Sequence, residues 1–181
     1  KKLYEKTPET VVLYEDEFSL SNTATVSYQW SARGKQPKVC CKQRRRERQT
    51  VFGTVNPLTG QIVISFENKG NATTFKKHLK KVVKSFKGKK IILILDNVRY
   101  HHAKRLKPFL SQHANHLELM FLPPYCPDLN PIERVWWFMR KKITHNRYLE
   151  SLEERKAKFW MMFSHFLHPN DQLKNICVLI N

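Results

Sequence analysis

Five consecutive aliphatic residues, Ile91 to Leu95, followed at once by Asp96, constrain this chain more than any other stretch. A strand with no polar alternation has to be covered on both faces, so the run predicts a central buried strand between layers of helices. It is far shorter than the roughly 18 apolar residues that cross a bilayer, and no membrane association is expected. An acid placed directly after such a run is costly unless it reaches the sheet rim, is paired, or binds a metal. Capping the next turn is the lesser alternative for Asp96.

The remaining segments fit around that strand. Val11 to Tyr14 is a short run of strand formers. Val51 to Val55 and Gln61 to Phe66 flank Asn-Pro-Leu-Thr-Gly and predict a hairpin. Phe75, Leu79, Val82, Val83 and Phe86 recur at helical spacing, with Asn71 as N-cap and Gly88 as stop. Ala103 to Asn115 is helical in composition, with Pro108 expected to kink or split it. Leu117 to Leu122 predicts another strand, and a helix is expected from Pro131 to Ile143. A last helix starts at Ser151, with Glu154 as capping-box partner and Leu152, Phe159, Trp160, Phe163 and Phe166 turned inward. The whole reads as one α/β domain over residues 1–181: a mixed five-stranded sheet with helices on both faces.

Period-two alternation then tests whether two acids can cooperate. Val12, Tyr14 and Asp16 share one face of the first strand; Ile92, Ile94 and Asp96 share one face of the later one. Were these strands parallel neighbours, both carboxylates would emerge at the same rim, where they repel each other unless a cation sits between them. All-oxygen donors select Mg²⁺ or Mn²⁺ over zinc. Glu15 and Glu17 should point to the opposite face. Read alone, Asp16 is more simply a solvated member of an acidic cluster.

Charge narrows the partner. Thirty-three Lys and Arg stand against fifteen Asp and Glu, a net charge of +18, which favours a polyanion such as nucleic acid. The densest stretch is a basic loop at about 31–49, carrying Arg33, Lys35, Lys38, Lys42, Arg44, Arg45, Arg46 and Arg48. A solvated face is the ordinary reading of such a run; phosphate binding is the alternative. Trp30 is expected to pack beneath this loop. The four cysteines have no metal-ligand spacing and read as reduced thiols, with neither zinc nor disulfides expected.

Glu133 presents a choice. Asn130-Pro131-Ile132-Glu133 reads as N-cap, N1, N2 and N3, and a glutamate at N3 folds back onto the cap in a capping box. On local chemistry Glu133 is a cap partner; as a third acid it is a ligand.

Four segments together resemble a known family: VVLYEDEFSL, YQWSARGKQP, IILILDNVRYHHAK and LELMFLPPYCPDLNPIERVWWFMRKKITHN. They are similar to the catalytic domain of DDE transposases of the mariner-type superfamily, especially its bacterial insertion-sequence branch, from about Val11 to Leu167. The resemblance implies an RNase H-like fold and a catalytic, metal-binding triad of Asp16, Asp96 and Glu133, leaving Asp128 or Asn130, with Pro131, to start the helix. It implies two Mg²⁺ or Mn²⁺ ions per site. The activity implied is cut-and-paste transposition by DNA strand cleavage and strand transfer into a TA target. The partners implied are double-stranded DNA, as transposon ends and target, and a second copy of the chain in a homodimer. Arg33, Lys35, Arg44, Arg45, Arg46, Arg48 and Lys104 would contact DNA. His101, at the position of the family's histidine, either touches the scissile phosphate, orders a water, or is structural. The family's N-terminal helix-turn-helix is expected to be absent, and a cytoplasmic, nucleoid-associated location in a bacterial host follows. Cys126 stands where many relatives carry Ser and is expected to be a small packed side chain. An RNase H-like nuclease without strand transfer, or a domesticated non-catalytic DNA-binding relative, are the alternatives.

Overall fold

The aliphatic run forms β4, Lys90–Leu95, an interior strand of one five-stranded sheet in the computed structural model, which describes residues 10–23, 25–39, 47–124 and 126–178. The other strands are β1 (Thr10–Ser21), β2 (Arg48–Asn56), β3 (Gln61–Glu67) and β5 (Leu117–Phe121), in the spatial order β3-β2-β1-β4-β5. β4 runs parallel to both its neighbours, β1 and β5, while β1, β2 and β3 form an antiparallel meander. Every residue from Ile91 to Leu95 is buried, as a strand covered on both faces requires.

Alternation along the strands divides the core in two. Val12, Tyr14, Phe18, Ile92 and Ile94 face a layer built from α3 (Ile132–Ile143), α4 (Leu152–Ser164) and α5 (Asp171–Ile176). Leu13, Phe52, Leu93 and Leu95 face α1 (Ala72–Ser85) and α2 (Lys107–Gln112). The first helix starts where expected. The Asn71 side chain accepts from the Thr73 and Thr74 amides at 2.9 and 3.1 Å, and Thr74 Oγ1 accepts in return from the Asn71 amide. Gly88, at φ 81°, follows its end. Pro108 splits its segment as predicted: a 3₁₀ turn at Lys104–Leu106 gives way to a helix whose first turn contains the proline.

Three expectations are revised. β1 does not stop at Asp16 but continues to Ser21, because its pairing with β2 persists to the register Ser21↔Arg48 after its pairing with β4 has ended at Tyr14↔Ile94. Trp30 does not pack under the basic loop; it is fully exposed, as is Tyr28. Trp160 is 47% exposed on the outer side of α4, while Phe159, Phe163 and Phe166 are buried as expected. The root of the basic segment is nevertheless fixed. Thr25 bridges His145, and Asn146 both accepts from the Ser27 amide and donates to the Ser27 carbonyl at 2.9 Å.

Candidate active site

The parallel register Val12↔Ile92, Tyr14↔Ile94 carries the two aspartates onto one face at one rim. Asp16 and Asp96 line a cavity of about 480 Å³ together with Asn97, Cys126, Asn130 and Glu133. Residues from three separate stretches of the chain thus meet there. The aspartates come from the strands, and Glu133 comes from the first turn of α3 on the layer that covers their face.

The cap expected for this helix is not formed. Pro131 stands at the N-cap, and no side chain satisfies the helix start. Asn130 uses its amide elsewhere, donating from Nδ2 to the Glu15 carbonyl at 3.0 Å and so tying the start of α3 to β1 beside Asp16. Asp128 is exposed in the preceding 3₁₀ turn, Pro127–Leu129. Glu133 is therefore not folded back onto a cap. Its carboxylate stands on the cavity wall, 3.9 Å from Arg140.

Electrostatics mark the site as a cation seat. Burial first, then the charges of Glu133, Glu17 and Asp96, raises the Asp16 carboxyl from its ordinary range to about 8. Oxygens of Asp16, Glu17 and Asp96 lie within 4.8 Å of one another. Such a set is relieved by a hard divalent cation, and oxygen-only donors match Mg²⁺ or Mn²⁺. Asp16, Glu17 and Asp96 could hold such an ion, and Glu133 lines the same cavity. Glu17 was expected to be out of reach on the opposite face. It gains access because β4 ends at Leu95, so no backbone separates the two faces at that level.

The opposite side of the rim carries a second layer of acids around His101. This histidine follows β4 in a 3₁₀ turn, Arg99–His102, and its side chain has no exposed surface. Nδ1 lies 3.2 Å from the Asp96 carbonyl and 3.4 Å from Asp96 Oδ1; Nε2 lies 3.0 Å from Glu17 Oε1 and 3.9 Å from Glu15 Oε2. Burial pulls its basicity down, but the hydrogen bonds to Asp96 and Glu17 and the charge of Glu15 outweigh that and leave it at about 10. Those bonds in turn hold the Asp96 carboxyl below its usual range. Tyr100 donates to Glu17 as well. Glu15 is fully buried with no hydrogen-bond partner on its carboxylate among the described residues, and burial raises its carboxyl well above normal. His101 thus sits behind Asp96, with no surface for a phosphate to touch; its place is electrostatic support of the rim.

The described residues among the other predicted DNA contacts do not line the cavity. Arg33, Lys35, Arg48 and Lys104 are exposed, and Arg44, Arg45 and Arg46 lie outside the described residues, as do Cys40 and Cys41. Cys126 is half-buried on the cavity wall, within 3.5 Å of the Pro124 carbonyl. Sequence reasoning missed Trp136, whose buried indole Nε1 donates to Asp16 Oδ2 at 2.9 Å. The signal was one of position: three residues after Glu133, it shares a helix face with it.

The comparisons with known proteins agree with this geometry. The family model described as DDE superfamily endonuclease matches residues 11–156. An "Insertion element IS630 uncharacterized 39 kDa protein" from Shigella sonnei is 27% identical over 164 residues, covering 89% of this chain and 47% of its own. "Uncharacterized protein y4pE/y4sA" from Sinorhizobium fredii is 32% identical over 108 residues, 58% of this chain and 74% of its own. Among solved structures, the Mos1 transposase paired-end complex with left transposon end superposes with a TM-score of 0.68 at 15% identity, over 96% of this chain and 52% of that one. The Mos1 transposase catalytic domain with raltegravir and Mg superposes at 0.59 and 14% identity, over 97% and 81%. The sheet and its helices therefore have the RNase H-like fold of transposase and integrase catalytic domains. The chain spans about half the length of the Shigella relative and of the full Mos1 chain. No helix among the described residues is long and apolar enough to cross a membrane.

Proposed function

Because this chain belongs to the DDE superfamily endonucleases, we propose that it is the catalytic domain of an insertion-sequence transposase of the mariner type, and that Asp16, Asp96 and Glu133 are its catalytic acids. The observation that carries the reading is their convergence from β1, the end of β4 and α3 on one cavity. The reaction is phosphoryl transfer on DNA. In cleavage, a water oxygen attacks phosphorus, the bond to the 3′ oxygen breaks, and the strand is left with a 3′-hydroxyl and a 5′-phosphate. In strand transfer, that 3′-hydroxyl attacks a target phosphodiester, forming a new ester and releasing a target 3′-hydroxyl. No bond to the protein forms in either step.

Two Mg²⁺ or Mn²⁺ ions, when bound, activate the attacking oxygen and stabilise the leaving one. Asp16 and Asp96 from the strand rim and Glu133 from α3 would hold them. His101 keeps Asp96 ionised and oriented from behind. Exposed Arg33, Lys35, Arg48 and Lys104, and the basic residues Arg44 to Arg46, neutralise phosphates of double-stranded DNA. Transposon ends, cut-and-paste movement, a TA target and a homodimeric assembly complete the proposal, and they rest on the family resemblance.

The test uses supercoiled plasmid, then a duplex end with a free 3′-hydroxyl offered to a target plasmid. Nicking in Mn²⁺ that stops in EDTA and in Asp96→Asn is the expected result. Covalent joining of the pre-cut end identifies a transposase. Hydrolysis without any joining would point instead to a nuclease, and metal-independent DNA binding without cleavage would overturn the enzymatic reading.

A further inference from the structure

Trp136 reaches Asp16 from within the core. The side chain is 1% exposed, stacks on Phe18 with centroids 5.5 Å apart, and meets the edge of Phe163 at 6.2 Å. Its ring lies over β2 at Gly53, where a Cβ would overlap the indole, so the strand has to be bare there for the ring to fit. With the ring wedged on both sides, Nε1 is delivered to Asp16 Oδ2 at 2.9 Å. An indole nitrogen is a donor only and binds no metal. A buried N–H demands an acceptor, and many backbone carbonyls would serve; here the acceptor is one of the two strand-borne acids of the site.

Two consequences follow for Asp16. The bond engages one carboxylate oxygen and restricts rotation about the side-chain torsions of a residue that lines the cavity. It also links Asp16 to α3, the helix that carries Glu133 one turn earlier. Ile132, Val135 and Met139 pack on the same buried stripe, so the helix cannot turn about its axis without breaking the bond.

We propose that Trp136 is a positioning residue for the metal site: its indole N–H fixes Asp16 for metal coordination and holds Glu133 in register with it. This rests on the metal-dependent reading above. Outer donors of this type change metal affinity by about 10–100-fold when removed.

The experiment uses the whole 181-residue chain with ¹⁵N-labelled tryptophan. There are four tryptophans, and Trp30, Trp137 and Trp160 are all exposed while Trp136 is buried. One indole N–H should therefore be shifted and slow to exchange with solvent. It should move in Asp16→Asn and be broadened first on titration with Mn²⁺. Trp136 is then replaced by 3-benzothienylalanine, which keeps the ring shape and loses the N–H. The Mn²⁺ dissociation constant, read by electron paramagnetic resonance, should rise about tenfold. Phe163→Leu, which loosens the same packing and leaves the N–H in place, should lower the melting temperature and keep the Mn²⁺ constant within about twofold of wild type. An indole resonance indifferent to Asp16→Asn, or a benzothienyl variant that binds Mn²⁺ as wild type does, overturns the inference alone. Absence of Mn²⁺ binding by wild type overturns the metal reading and this inference with it.

Discussion

His78 and His101 are both buried imidazoles with both ring nitrogens engaged, yet they have been driven in opposite directions. His78, on α1, lies between two hydroxyls, Thr54 Oγ1 at 2.8 Å and Ser65 Oγ at 2.9 Å, and stacks on Phe52. Burial, with some help from Lys81, drops it to about 3, and it is neutral at any ordinary pH. His101 is just as enclosed, but its partners are the carboxylates of Asp96 and Glu17, and it stays charged. Desolvation is common to the two; the partner decides the sign. The His78 site under α1 is thus held by neutral, matched hydrogen bonds, while the acidic rim next to it concentrates charge that the fold alone does not neutralise.

The sharpest way to break this contrast is to mutate each region and read activity. Asp96→Asn should reduce plasmid nicking by about 10³-fold or more, since acids that act as a unit fail together. His78→Gln should leave the nicking rate per folded molecule within about twofold of wild type. Comparable losses in both would erase the distinction between rim and core. Next in size, His101→Phe removes the cation from beside Glu15 and Glu17. Breaking a buried charged set by removing one partner costs about 3–5 kcal/mol, and urea unfolding should show it. Adding Glu17→Gln to that variant should recover part of the loss; no recovery would mean that packing, and not charge, is what His101 supplies.

The pH dependence of stability sharpens the comparison from the other side. His78 has a folded pKa of about 3 against an unfolded value near 6.5, so below 6.5 the unfolded chain binds the extra proton. Stability therefore falls as pH drops through that window, by up to about 1.4 kcal/mol per unit from this one group. Over pH 6.5 to 5, unfolding free energies of His78→Gln should decline less steeply than those of wild type; parallel slopes would place the titration elsewhere. The smallest effect is expected farthest from both histidines. Replacing Arg33, Lys35 and Arg48 by Ala should leave stability unchanged and reduce the salt dependence of DNA binding by about 0.9 in slope for each phosphate that is no longer neutralised. An unchanged slope would remove these residues from the DNA surface.

Much of the frame can be read from the chain because it rests on strong, local signals. Five aliphatics in a row admit little besides a buried strand, and period-two alternation puts Asp16 and Asp96 on one face once the two strands are parallel neighbours, as the register shows them to be. Glu133 was different: its surroundings spell a helix cap, and only the motif around it suggested a ligand. The structure shows where the local reading failed: the Asn130 side chain is turned to donate from Nδ2 to the Glu15 carbonyl, and its Oδ1 accepts nothing from the helix start. His78 could have been found, because it lies on the same helical stripe as Phe75, Leu79 and Val82, but a polar residue among lysines reads as solvated. Glu17 depends on where β4 stops, a tertiary fact with no local signature; helical spacing puts Trp136 on the face of Glu133, but its bond to Asp16 depends on how α3 sits on the sheet. Six-residue α5 is too short to show a period.

Gly53 bears on how related sequences should be judged. It contributes no side chain, stands outside the acidic motifs in sequence although it pairs with Asp16 across the sheet, and owes its identity to the indole resting on it. A copy of this chain carrying Val at that position would keep all three acids and every signature phrase around them. Its α3 would nonetheless be pushed off the sheet, and Asp16 would lose its tether. Inventories that count acids would score such a copy as intact, so decayed and living copies are better told apart by reading position 53 together with position 136.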